Sequence, residues 1–194
     1  MKIRVDILAN FGRKLKGLCP AVYAKMQKGL TEDQIEKMLS EVDIENTELR
    51  ALYSWKNGIK PDIAGQSGEF DFCSLGNLLP LKDAIRHYQK HIQNDLRKKN
   101  YFPLVSKYRG DYLFIDLDSN SKTFGMLLLH APSLLVMTPE TAYDSLAKFF
   151  VTIISCYQLG IYKFHERTNT LIVDYDREFV LSEIKNPGSA YWKN

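Results

Sequence analysis

The run Leu52-Tyr53-Ser54-Trp55-Lys56-Asn57-Gly58 decides how the rest of the chain is read. It has the form of the last two turns of a helix and its stop. Asn46-Thr47 lies upstream, with a short polar side chain able to accept from the orphan amides of a helix start. Leu49, Leu52 and Tyr53 recur at helical spacing, and Trp55 follows three residues after Leu52. Gly58 falls where a left-handed terminal residue is cheap for glycine alone. On these grounds the run is an amphipathic helix with a glycine stop, and Trp55 packs over a sheet.

Upstream of it, Thr31 and Gln34 form a capping-box pattern, and Ile35, Met38, Leu39 and Val42 make one apolar stripe. A helix over residues 32–42 follows. Between Thr31 and Arg50 stand Glu32, Asp33, Glu36, Glu41, Asp43, Glu45 and Glu48, opposed by Lys37 and Arg50 alone. Such a run is either a solvated helix face or a surface that attracts a basic partner. Further upstream, Ile3, Ile7, Leu8 and Phe11 share one helical face. Gly12, Gly17 and Pro20 are expected to interrupt it, with a second short helix over 21–27. The surrounding Lys and Arg residues read as a solvated face.

Downstream, residues 58–79 are rich in Gly, Asp, Ser and Asn and read as a long loop. Leu81, Ile85, Tyr88, Ile92 and Leu96 then mark an amphipathic helix with a basic outer face. From Tyr101 the apolar period shortens. Runs 103–105, 112–117, 124–129 and 134–137 are short and β-like, separated by turn residues, as in an antiparallel meander. Thr138-Pro139 is expected to open a helix carrying Ala142, Leu146, Phe149, Phe150, Ile153 and Tyr157, ended by Gly160. A hairpin over 161–164 and 171–173 and a short helix with Phe179, Val180 and Ile184 complete the chain. The switch from a helical period before Asn100 to short β runs after it predicts an α+β fold. The expected form is N-terminal helices packed on a mainly antiparallel, meander-like sheet. At 194 residues the chain reads as one domain, 1–194, with a core over about 30–160 and a C-terminal extension over 161–194.

Apolar residues at 45% and charged residues at 25% are those of an ordinary globule, and a net charge of +3 is too small to imply nucleic-acid binding. Cys19, Cys73 and Cys156 are odd in number and show no CxxC pair, which favours reduced thiols in a cytoplasm. The N-terminus has no uninterrupted apolar core of a secretion signal, and the apolar stretch 149–157 is too short to span a bilayer. The expected location is cytoplasmic, where the chain is made.

Chemistry is sparse. His87 and His91 stand four residues apart but have no third metal ligand placed, and they read as a solvent face. Cys156 and His165 form a conceivable nucleophile and base, but Cys156 lies in the most apolar helix, where a thiol is a small core residue. Asp111, Asp116 and Asp118 cluster in sequence, with turn roles expected for the first and last. No phosphate loop, dinucleotide fingerprint or nucleophile elbow occurs. No catalytic residue, metal ligand or cofactor is assigned. In the long loop, Glu69, Phe70, Asp71 and Phe72 alternate charge and ring. That suits a binding hot spot with a polar rim, or two phenylalanines that pin the loop to the core.

Three blocks together resemble the SUKH superfamily, which is known from bacterial immunity proteins and fungal cell-wall regulators of the Smi/Knr type. The first is the signature Leu52, Tyr53, Trp55, Asn57 and Gly58. The second is Phe102-Pro103-Leu104-Val105, then Gly110-Asp111-Tyr112-Leu113-Phe114-Ile115-Asp116, then Gly125. The third is the helix around Tyr143, Leu146, Phe149 and Phe150. They span roughly residues 30–160. The chain departs from the pattern around its signature: the proline often found before the helix is absent, and a doubled glycine is replaced by Gly58-Ile59. The resemblance implies a non-catalytic immunity protein that blocks a cognate toxin, a nuclease for instance, by protein–protein occlusion. The partner is then the toxin itself, without direct contact to nucleic acid or membrane, and the chain is expected as a monomer. Glu36, Glu41, Asp43, Glu69, Phe70, Asp71 and Phe72 are the candidate contact residues. A regulatory scaffold of the fungal type and an enzyme of another class, a hydrolase using the Asp cluster, are the competing readings.

Overall fold

The structure is a computed structural model that describes residues 3, 5–59, 70–90, 100–107 and 110–193. Helix α1 spans Val5–Leu18, α2 Pro20–Lys25, α3 Glu32–Ser40, α4 Thr47–Trp55, α5 Leu81–Lys90, α6 Leu146–Gln158 and α7 Tyr175–Lys185. The strands are β1 Met26–Lys28, β2 Lys56–Ile59, β3 Asn77–Leu78, β4 Tyr101–Ser106, β5 Tyr112–Asp116, β6 Leu127–Ala131, β7 Val136–Tyr143, β8 Tyr162–His165 and β9 Thr170–Val173. All pair antiparallel: β1 with β2, β8 with β9, and β3-β4-β5-β6-β7 as a five-stranded meander. The fold is α+β.

Local chemistry explains most boundaries. Thr31 and Gln34 form the capping box of α3, bonding each other's amides at 3.3 and 2.9 Å. Asn46 caps α4 by accepting from Glu48 N and Leu49 N, both at 2.9 Å. The end of α4 differs from expectation. Lys56, in extended conformation, ends the helix, and Gly58 sits two residues on, inside β2. Its φ is +68°, and an added Cβ would lie 2.5 Å from the Leu79 carbonyl carbon. The glycine is therefore needed where β2 crosses the chain before α5. Its neighbour Asn57 accepts from Leu81 N at 2.9 Å through its side-chain oxygen and so holds the start of α5.

Three other boundaries correct the sequence reading. Helix α1 runs unbroken through Gly12 and Gly17 to Leu18, because glycine inside a helix is a weak breaker when the helix is held by a packed face, here Leu8, Phe11, Gly12 and Leu15. Gly12 is buried, and a Cβ there would lie 3.1 Å from the Trp55 indole. Residues 26–28 form β1 rather than the end of α2. Thr138 and Pro139 belong to β7, and α6 starts after Ser145, whose hydroxyl accepts from Lys148 N at 3.2 Å. Strand β7 is an edge of the sheet, where a proline lacking its N–H is tolerated.

The core lies between the helices and the sheet. Trp55 packs not over the sheet, as expected, but between helices: it is partly buried between α1 and α6, its ring centroid 5.8 Å from Phe11 and 5.9 Å from Phe150. Phe149 of α6 meets Phe72 and Tyr143 at 5.9 and 5.0 Å. All of β5 is buried, although its side chains alternate between the two faces, so both faces of the sheet are covered at its centre. Helix α1 and the C-terminal segment belong to this core as fully as residues 30–160 do. Leu8, Phe11 and Leu15 pack with it at one end of the chain, and Ile161, Tyr162 and Trp192 at the other.

Candidate functional site

The acidic candidates fall on α3 and the turn after it. The capping box fixes the start of α3, and Ile35 and Leu39 bury its inner face. Glu36, Glu41 and Asp43 are exposed. Glu32 and Glu36 both pair with Arg50 of α4, the former at 2.8 Å. These are solvent-exposed pairs, which are weak and screened by salt. Glu48 is turned inward and accepts from Ile3 N at 2.6 Å. The outward negative surface is thus smaller than the sequence run suggests.

The loop candidates divide differently. Glu69 lies outside the described residues. Phe70 is half-buried, stacked 6.0 Å from Phe164, with the Lys25 ammonium 4.5 Å from its ring centroid. Phe72 is completely buried against Phe149, and Tyr157 donates to its carbonyl at 3.0 Å. Asp71 is 3% exposed. It accepts from Asn77 Nδ2 at 3.0 Å and lies 3.7 Å from Lys107 Nζ, while burial pushes its carboxyl up to about 6 despite Lys107. Asp71 and Phe72 are therefore anchors of the loop, not contacts offered to a partner. The structure does not join the two candidate groups: α3 packs on α4 and α5, whereas residues 70–72 pack on β8 and α6.

The other chemical candidates are structural. His87 leaves the solvent face expected for it, its ring lying 5.3 Å from that of Tyr112 at a tilt of 56°, with Nδ1 3.0 Å from the phenol oxygen. Its partner His91 lies outside the described residues. Cys156 is buried in α6, where burial pushes its thiol up to about 12, and the exposed His165 bonds Thr168 instead. Asp111 accepts from the backbone and hydroxyl of Ser133. Asp116, at the far end of β5, accepts from Asp118 N and Thr123 Oγ1 at 2.9 and 2.6 Å. Among the described residues, no group of three or more His, Cys, Asp or Glu could hold a metal ion. Nor is any of their helices long and apolar enough to cross a membrane.

Two features were not read from the sequence. Val180 and Ile184, one turn apart on α7, are 56% and 72% exposed, so this helix shows solvent two large apolar side chains beside the charged Asp176, Arg177 and Glu183. A cavity of about 310 Å³ opens between α7 and the sheet, lined by Tyr112, Leu129, Ala131, Tyr175, Glu178 and Phe179 among others. Glu178 is 2% exposed and accepts at Oε1 from Ser74 Oγ at 2.5 Å and from the Tyr162 hydroxyl. Burial raises its carboxyl above the ordinary range, against those two hydrogen bonds and the nearby charge of Lys107. Its partners lie 104 and 16 residues away, too far for any local pattern to show.

No protein-family model matches the chain, and no curated protein matches it.

Proposed function

We propose that the protein is a binding protein of the SUKH immunity type, which neutralises a cognate toxin by covering the toxin's active or substrate site. The observation that carries this reading is the exposed acidic set on a firmly capped helix and its following turn: Glu41, Asp43 and Glu36, the last shared with Arg50. Such a set steers a basic surface toward the chain and then lies against it. The substrate site of a nuclease is basic, so the mechanism is local electrostatic mimicry followed by steric occlusion. A net charge of +3 restricts that mimicry to one patch. The signature residues supply the frame: Trp55 joins α4 to α1 and α6, Asn57 holds α5, and Gly58 permits the crossing between them.

The partner is sought first in the product of the reading frame immediately upstream, by co-purification. Against it, Glu36→Lys, Glu41→Lys and Asp43→Lys combined should lower the association rate by about tenfold or more at low salt, and the wild-type rate should itself fall with added salt. A folded triple variant with an unchanged rate would sink the electrostatic part of the proposal. The exposed Val180 and Ile184 face of α7 would be the next contact surface to test.

A further inference from the structure

Glu178 stands apart from the other buried acids. Asp71 has Lys107 beside it, and Asp116 and Asp111 spread their bonds over both carboxylate oxygens. Both bonds to Glu178 land on Oε1, and among the described residues none reaches Oε2; Lys107 lies near enough to favour the charged carboxylate but makes no ion pair with it. A carboxyl removed from water in this way is expensive to ionise unless a positive group meets it. This one lines an open cavity rather than the closed core.

The remaining lining says what would fit. Asp111 is a second acid there. Lys107, the one cation among the described lining residues, is already engaged: its Nζ donates to the Ser74 carbonyl at 2.9 Å and faces Asp71. The other walls are largely apolar and aromatic, with Leu129 and Ala131 on the sheet side and Tyr175, Phe179, Tyr191 and Trp192 on the helical side. Aromatic faces attract a cation as well as an apolar body. A volume of about 310 Å³ is at the lower end of the range for small-molecule sites.

We propose that this cavity binds a small organic amine, with its protonated nitrogen on Glu178 and an apolar or aromatic body against Leu129, Ala131 and Phe179. The ammonium replaces the water that the carboxylate has lost. A ligand without the positive charge leaves that debt in place. The proposal is independent of toxin binding, because it uses none of the α3 acids.

The probes are phenethylamine and its uncharged counterpart 2-phenylethanol, titrated calorimetrically into the intact chain. Phenethylamine should bind, and the alcohol should bind about tenfold more weakly or worse, as a charge-assisted bond to a buried carboxylate requires. Glu178→Gln keeps an acceptor for Ser74 and Tyr162 but removes the charge. It should erase the preference for the amine and leave the alcohol unchanged. Ala131→Leu fills the cavity without touching Glu178 and should weaken both probes. Three results would overturn the proposal: equal affinity of wild type for the two probes, no binding of phenethylamine at about 10 mM, or a folded Glu178→Gln chain that still prefers the amine. If Glu178→Gln does not fold, the wild-type comparison and Ala131→Leu decide the matter.

Discussion

Replacing Gly58 by alanine tests the crossing between β2 and the chain before α5. Two penalties add. An alanine held at φ +68° costs about 1–2 kcal/mol for the left-handed conformation alone. The new Cβ would also lie 2.5 Å from Leu79 C and 2.6 Å from Leu78 O and Pro80 N. Those are backbone atoms that cannot swing aside, so β2 must lift, and overpacking of this kind costs about 1–3 kcal/mol. Gly125 supplies the control: its φ is +76°, but nothing lies within 4 Å of its added Cβ. Both variants gain the same reduction of unfolded-state freedom, about 0.4–1 kcal/mol. Gly58→Ala should therefore lose about 2–3 kcal/mol of stability, and Gly125→Ala about 1 kcal/mol or less. Urea unfolding of the two variants beside wild type measures the difference. If they lose equal stability at equal m-value, the close approach to Leu79 is wrong and only the backbone angle matters.

Trp55→Ala should cost about 2–3 kcal/mol, below a fully buried tryptophan because the ring is only partly covered, and normal melting with selective loss of partner binding would make it a contact residue instead. Asp71 protonates more readily when folded, near 6 instead of 3.8, so the folded state holds the extra proton between those values and stability falls as pH rises through them. The loss is roughly 3 kcal/mol, and it should vanish in Asp71→Asn; denaturation midpoints at pH 4 and 7.5 that shift alike in both proteins would refute it. Cys19, Cys73 and Cys156 are buried with their thiols pushed up, so a thiol-specific disulfide reagent should label none in native protein and all three after unfolding. Fast native labelling would indicate an accessible thiolate.

Features governed by neighbours in sequence were legible beforehand. The capping box at Thr31, the cap at Asn46, the meander after Tyr101 and the final hairpin each depend on a few adjacent residues. Pro139 misled because the same residue suits a helix start and an edge strand, and only the sheet order separates the two. Alternation in 69–72 suggested either a binding hot spot with a polar rim or two phenylalanines that pin the loop to the core. Asp71 went inside with Phe72 because Asn77, six residues on, and Lys107, far along the chain, satisfy its carboxylate. The same applies to Glu178, whose environment comes from Ser74 and Tyr162 and exists only once the chain has folded. The outer face of α7 was hidden by composition: its apolar residues point both ways, so no single stripe marks an inside.

The bonds that tie residues 188–190 to Thr141 also set a clock on synthesis. Ala190 N donates to Thr141 O at 2.9 Å and Ser189 Oγ to the same oxygen at 2.8 Å, covering part of the open side of β7. Before they form, that strand presents unpaired amides and carbonyls to any neighbouring chain. Residue 190 follows Thr141 by 49 positions. At ribosomal speeds of about 5–20 residues per second, the edge stays open for roughly 2–10 s in each newly made chain. Crowded polysomes expose many such edges at once, so slow decoding between Tyr143 and Ala190 should lower the yield of folded protein, though the finished molecule is the same.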